Sequence, residues 1–291
     1  MFSILITVFN RQDLLDRQLA YLSRELSDFE FPYEIIVYDD CSSVPLVINS
    51  TNPFVRFFRG EVNLGLIEAR NRLISFSSDN SNYFLFLDDD IFIFNLVDAM
   101  HRAMFFIDSG YSAFSIPYVN LPIEYRAKLS WFKYVYDFKK LKNEVVFFNG
   151  GTTFFDSKIF AKLGGLEGRY RIYLEEEDFA LRLFSIGKKI RIATNESFVA
   201  IHDQPKGKIQ SERDVFLLSN RMSFHRKFIN SKFLVVGLNV AYIILFLFKK
   251  RKFKLIRDAH KRYVELSTQI KPAPIKFGIL FKFMIRRFFN I

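Results

Sequence analysis

Tyr83-Phe84-Leu85-Phe86-Leu87-Asp88-Asp89-Asp90 is the stretch whose reading decides the fold. Five apolar residues without a polar interruption read as a strand buried on both faces. Asp is a poor strand residue, so the strand ends where the aspartates begin. In an open α/β sheet, ligands bind beyond the carboxyl ends of the strands. Three carboxylates at such a place repel one another, and a hard divalent cation, Mn2+ or Mg2+, is the simplest relief; such an ion commonly brings a phosphate with it. A solvated acidic turn is the plainer alternative, and the rest of the chain decides between the two.

Upstream, Phe2–Phe9 is a β-rich run, and Leu14, Leu15, Leu19, Tyr21 and Leu22 have helical spacing. Tyr33–Tyr38 is a second strand that again runs into acids, Asp39 and Asp40, and Phe54–Phe58 is a third. Asn63-Leu64-Gly65 makes a turn into a helix over Ile67–Phe76 that carries Arg70, Asn71 and Arg72. The order β-α-β-β-α-β predicts an α/β fold, a mainly parallel sheet with helices on both faces.

Downstream, a strand is expected over Ala113–Tyr118, an irregular excursion over 120–143, and a strand over Val145–Phe148 that runs into Asn149-Gly150-Gly151. A helix is expected over Phe155–Leu163, capped by Asp156 or Ser157 and ended by Gly164-Gly165. Glu175-Glu176-Glu177-Asp178 opens a helix over Phe179–Ile186. Acids suit a helix N-terminus, but four in a row exceed what the helix dipole asks for. A strand over Phe198–Ile201 then presents His202 and Asp203.

The 291 residues have room for one large domain with an appendage, and 37 phenylalanines supply a sizeable core. A single cysteine, Cys41, excludes an internal disulfide and fits a reducing compartment. The N-terminus lacks a basic region and a cleavage site and reads as the first core strand. Charge is uneven: residues 1–203 hold 22 Lys and Arg against 27 Asp and Glu, whereas 204–291 hold 20 against 4, a balance of +16. A basic tail on a mildly acidic body points to an anionic surface as partner.

Taken together, Ile6-Thr7-Val8-Phe9-Asn10-Arg11, Val37-Tyr38-Asp39-Asp40-Cys41-Ser42, Asn63-Leu64-Gly65 with Ala69-Arg70-Asn71, Asp88-Asp89-Asp90, Asn149-Gly150-Gly151, Glu175-Glu176-Glu177-Asp178-Phe179 with Arg182, and His202 resemble, in order and spacing, the inverting family 2 glycosyltransferases of GT-A fold. The resemblance covers residues 2–230. It implies a nucleotide-diphospho-sugar donor held by Thr7, Asn10, Asp39, Asn63, Arg70, Asp88 and Asp89, with Asp39 at the base and Arg70 at the nucleotide or diphosphate. It implies a divalent ion, Mn2+ or Mg2+, held by Asp88, Asp90 and His202. It maps the general base to Glu176; since Glu stands here where Asp is usual, Glu175 or Glu177 could serve instead. Gly150 and Gly151 would let the backbone approach the donor sugar, and Asp178 would cap the helix or orient the acceptor.

These readings divide the chain into a catalytic domain over 1–230, with a nucleotide-sugar half to about 110 and an acceptor half to 230, and a basic helical tail over 231–291. Phe233–Phe248, apolar except at Gly237 and Asn239, spans about 24 Å as a helix against a hydrocarbon core of ~30 Å. Ile275–Ile291 has the pattern of a basic amphipathic helix lying in a membrane interface, or alternatively of a C-terminal helix packed on the body. The expected activity is transfer of a sugar from a UDP- or dTDP-sugar to a growing, lipid-linked surface glycan such as O-antigen or capsule, at the cytoplasmic face of the inner membrane. The alternative enzyme passes sugar to a polyprenyl phosphate. A nucleic-acid-binding protein would leave both acid clusters unexplained, and nucleic acid is not expected as a partner.

Overall fold

The computed structural model describes residues 1–120, 144–194, 198–203, 210–250 and 253–289. The excursion expected over 120–143 thus lies almost entirely outside the described residues. The chain opens with β1 (Phe2–Val8), α1 (Gln12–Glu25), β2 (Tyr33–Asp39), β3 (Val55–Arg59), α2 (Leu66–Phe76) and β4 (Tyr83–Leu87), the predicted order. Then come β5 (Ile91–Phe94), α3 (Leu96–Asp108), β6 (Ala113–Ser115), β7 (Tyr118–Asn120), β8 (Glu144–Val145), β9 (Thr152–Asp156) and α4 (Ser157–Lys162). The last elements are α5 (Glu175–Ser185), β10 (Ile190–Ile192), β11 (Val199–His202), α6 (Gln210–Phe228), α7 (Lys232–Lys250), α8 (Phe253–Gln269) and α9 (Phe277–Phe289).

Eight strands form one sheet in the order β3-β2-β1-β4-β9-β6-β10-β8, and β5-β11-β7 form a second. Around β1 the large sheet is parallel: β2 pairs with β1 and β3, and β4 pairs with β1. Beyond β4 it becomes mixed, because β9 runs antiparallel to both β4 and β6. The order reverses at β1, with β2 on one side and β4 on the other. Such a switch point opens a crevice at the carboxyl ends of the two strands, here at Val8 and Leu87.

Alternation explains why β1 and β4 are central. Phe2, Ile4, Ile6 and Val8 join the core layer under α1 and α3 together with Tyr83, Leu85 and Leu87. Leu5, Phe84 and Phe86 face the opposite layer with Phe155, Phe160 and Phe179. Burying a side chain of this size contributes about 1.5–3 kcal/mol, so a polar residue anywhere in the run would be costly, and the first tolerated one is Asp88 at the strand end.

Three expectations are corrected. Ala113–Tyr118 is two strands, since Pro117 interrupts the run and β7 leaves for the second sheet beside β11. The helix expected from Phe155 begins at Ser157: Phe155 belongs to β9, a β-branched and aromatic run buried between β4 and β6. Asp156 is its cap, accepting from the backbone N–H groups of Lys158 and Ile159. The strand expected over Val145–Phe148 is reduced to Glu144–Val145.

The chain after residue 230 folds back on the body. Ala273 N–H donates to Lys227 O at 2.7 Å and Ile275 N–H to Phe228 O at 3.0 Å. Leu266, Ile270, Leu280 and Phe283 are buried in the same core layer as Phe179. Helix α9 is amphipathic as expected, with Leu280 and Phe283 packed on the body while Phe277, Phe281 and Met284 are exposed. Helix α7 packs Val235 and Phe246 inward and exposes Phe233, Val236, Val240, Leu245 and Phe248. Among the described residues no helix is long and apolar enough to cross a membrane.

Candidate active site

A cavity of about 640 Å³ lies at the switch point. Thr7, Val8, Phe9 and Arg11 line it from the end of β1, Asp88, Asp89 and Asp90 from the end of β4, and Glu175, Glu176 and Glu177 from α5. Asn63, Arg70, Gly150, Gly151 and His202 complete the expected set. Three expected residues do not line it. Asp39 is fully buried, with one oxygen 2.5 Å from Arg59 and the other accepting from Ser42 N–H. Asn10 accepts from Ser43 N–H at 2.7 Å and so pins the loop after β2. Asp178, also fully buried, is 2.6 Å from Lys227 Nζ and 2.7 Å from Arg182 Nε, a structural anchor between α5 and α6. The acid of β2 that reaches the cavity wall is Asp40, whose carboxylate accepts from Leu64 and Gly65 N–H; burial nevertheless pushes it above the usual carboxylate range.

The first acid cluster is held by two arginines. Asp88 meets Arg70 at 2.6 Å. Arg11 bridges Asp89 at 2.7 Å and Asp90 at 2.9 Å. Asp90 also lies 3.3 Å from Nε2 of His202, at the end of β11. Burial works against Asp90's charge, but His202 and Arg11 more than offset it and hold the carboxyl below its ordinary value. Burial dominates at Asp89, with Asp90 and Asp88 adding repulsion, and pushes it up to about 7. Hence the three neighbours are not equivalent. Asp90 and His202 are brought together, whereas Asp88 turns to Arg70, and among the described residues no three ligand-type side chains form one closed cluster.

The second cluster lies within the first turn of α5, which starts at Glu175 rather than at Phe179. Glu175 is buried, 3.4 Å from Arg70, with its Oε2 unpartnered. Glu177 forms a two-pronged pair with Arg221 at 2.6 and 2.9 Å, which outweighs burial and holds it below its ordinary value. Among the described residues Glu176 has no arginine of its own: Oε1 accepts from Gly150 N–H at 2.6 Å. Burial first, and the charge of Glu175 second, push it up to about 7.

Arg70, itself buried, stands between the clusters with Asp88 on one side and Glu175 on the other. Gly150 makes room for it, since a Cβ there would lie 2.7 Å from Arg70 Nη1 and 2.9 Å from Glu176 Oε1, and Gly151 makes room for Asp88, with which a Cβ would collide. Leading into α5, Arg171, Tyr173 and Leu174 hold left-handed backbone at φ 67°, 68° and 72°. For non-glycine residues this costs on the order of 1–3 kcal/mol each, and it directs the acid turn into the cavity.

Sequence reasoning missed Tyr118 and the roles of Arg11 and Arg221. Tyr118 stacks edge-on to His202 at 4.9 Å; burial, then the charges of Glu176, Asp88 and Asp90, raise its pKa, so its ring stands between the clusters. Its only signal was an aromatic after Pro117. Arg11 sat in a motif already singled out, and the three unbalanced aspartates were the hint that a cation was needed.

The sequence profile of glycosyl transferase family 2 matches residues 3–164, more than half of the chain. The chain belongs to glycosyl transferase family 2. No curated protein matches its sequence. Among solved structures, residues 1–349 of S. aureus TarS with UDP-GlcNAc give a TM-score of 0.57 at 15% identity, over 92% of this chain and 81% of that one. The mannosyltransferase PcManGT from Pyrobaculum calidifontis, in complex with GDP-Man and Mn2+, gives 0.54 at 15% identity, over 77% of this chain and 62% of that one. The chain thus spans less than two thirds of PcManGT. At such identities the likeness shows the fold, a GT-A fold.

Proposed function

We propose that this family 2 transferase is metal-dependent and inverting, moves a sugar from a UDP- or dTDP-sugar to a lipid-linked glycan, and uses Glu176 as general base. The observation that carries this reading is the pairing of charges at the cavity. Every other carboxylate of the two clusters has a guanidinium partner, and among the described residues Glu176 alone is left with one backbone N–H and a pKa near neutrality. A base works best when its pKa is near the working pH. Glu177, held down by Arg221, is a weaker base, and Glu175 faces Arg70.

The donor types at the end of β4, the carboxylates of Asp88 and Asp90 and the imidazole of His202 with Nε2 3.3 Å from Asp90, are those a hard divalent ion takes, and Asp88 would have to swing from Arg70 to join the other two. Bound there, Mn2+ or Mg2+ would neutralise charge on the leaving diphosphate. Arg70 and Arg11 supply fixed positive charge to the same region. In the transfer, the acceptor hydroxyl gives its proton to Glu176 as its oxygen attacks the anomeric carbon. The bond from that carbon to the diphosphate oxygen breaks, its electron pair leaves with the diphosphate, and the configuration inverts. The exposed apolar side of α7 and the +16 balance after residue 203 support docking at the cytoplasmic face of a membrane, where lipid-linked acceptors reside. The basic side chains of Arg171 and Arg213 on the cavity wall favour the alternative of a polyprenyl-phosphate acceptor.

Calorimetry with UDP-, dTDP- and GDP-sugars, with and without Mn2+, tests the donor, and NMR of the released sugar reads the stereochemistry. Metal-dependent binding of one donor and an inverted product are expected; binding indifferent to metal, or a retained anomer, would overturn the reading. Partition between vesicles of neutral and of anionic lipid, with and without added polyprenyl phosphate, separates the acceptor alternatives.

A further inference from the structure

The strained run before α5 is gripped from behind by two side chains that touch neither the cavity's carboxylates nor its glycines. Asn220, fully buried on α6, donates Nδ2 to the carbonyls of Tyr170 at 3.1 Å, Ile172 at 2.7 Å and Tyr173 at 3.0 Å. Two amide protons thus serve three acceptors, while its own Oδ1 has no partner. Arg262, on α8, donates Nη2 to the carbonyls of Tyr170 at 2.9 Å and Arg169 at 3.2 Å, with its guanidinium over the Phe216 ring at 4.5 Å. From the opposite side, Ile67 N–H donates to Arg171 O at 3.3 Å. Arg169 also reaches the carbonyl of Gln269 at the end of α8.

Left-handed backbone at three non-glycine residues out of four persists only where the surroundings over-determine it. Carbonyls pulled back by Asn220 and Arg262 do this, because releasing them would let residues 171–174 relax toward ordinary φ values and rotate the first turn of α5. Glu176 would then lose its approach to Gly150 N–H.

We propose that Asn220 and Arg262 are positioning residues that lock residues 170–174 and so place Glu176, which makes α8 part of the catalytic body. The placement rests on the reading of Glu176 as the base. It also extends the catalytic machinery past residue 230, the boundary expected from the sequence.

The test uses the full chain with Mn2+ and a nucleotide sugar that the parent binds and slowly hydrolyses, water serving as acceptor. Arg262 is half-buried on a surface helix, so Arg262→Ala should fold. Its kcat should fall about 100-fold, as expected for a catalytic group misplaced by roughly 1 Å, with the donor KM unchanged. Amide exchange should quicken within 170–176 and not elsewhere, and Arg262→Lys, which keeps a donor in reach of the carbonyls, should recover part of both. Asn220→Asp replaces the donor by an acceptor of the same shape and should lower kcat further; if circular dichroism shows it unfolded, the Arg262 pair carries the test. Unchanged kcat and exchange in Arg262→Ala, a raised KM at constant kcat, or exchange quickened across the whole sheet would overturn the proposal. A parent chain that hydrolyses no nucleotide sugar would count against the proposed function, while the local exchange at 170–176 still reads the lock.

Discussion

The two acid clusters make an instructive pair. One ends β4, the other begins α5, and each contains three consecutive carboxylates facing the same cavity. In both, the member with the best charge partners is held low, Asp90 by His202 and Arg11, Glu177 by Arg221. In both, one member is pushed up to about 7. The difference lies in what surrounds that member. Asp89 is buried behind a salt bridge to Arg11, whereas Glu176 sits on the cavity wall beside the glycine turn with no cation of its own among the described residues. On the proposed reading, the same residue class binds charge at one cluster and moves a proton at the other, by placement of three arginines, Arg11, Arg70 and Arg221, and one backbone N–H.

Asp90→Ala should abolish metal-dependent binding of the donor and cost several kcal/mol of barrier, on the order of 1000-fold or more in turnover, read by calorimetry and by release of the nucleoside diphosphate. Arg70→Met removes the cation shared by the clusters and leaves Asp88 and Glu175 unpaired at a buried site. A loss of about 3–5 kcal/mol in unfolding free energy is expected, because breaking a buried pair strands its charges; denaturant titration measures it. The pH profile sharpens the comparison. Glu176 accepts a proton only when ionised, and its pKa is raised to about 7. Turnover should therefore fall as pH drops through about 7, while Asp90, held low, stays ionised across that range. The smallest effect belongs to Glu177→Gln, which loses the two-pronged pair with Arg221: about 1 kcal/mol of stability and little change in turnover.

The parts legible in the sequence were those where one requirement dominated. Tyr83–Leu87 must be apolar because both of its faces are buried, and Asp88 marks where that burial stops. The acids of α5 exceed what a helix start needs, so they announced a site. Elements serving two requirements were harder to read. Thr152–Asp156 runs straight into a helix cap, and periodicity could not separate the strand from the helix. In β5, Ile91-Phe92-Ile93-Phe94 follows the aspartates directly and, among the described residues, pairs only with β11, more than a hundred residues on. Helix α9 shows why a basic amphipathic pattern does not name its partner: the same helix buries Leu280 and Phe283 in the core and shows Phe277 and Phe281 to solvent. Asp39 and Asp178 were given roles by resemblance, but side chains distant in sequence, Arg59 and Lys227, occupy them.

Turnover of Glu175→Gln, Glu176→Gln and Glu177→Gln, measured side by side at saturating donor with donor affinity determined in parallel, tests the assignment of the base most directly. Glu176→Gln should bind the donor as the parent does and lose turnover by several kcal/mol of barrier, while Glu177→Gln stays active. A Glu176→Gln chain that turns over like the parent, beside an inactive Glu175→Gln or Glu177→Gln, would contradict it.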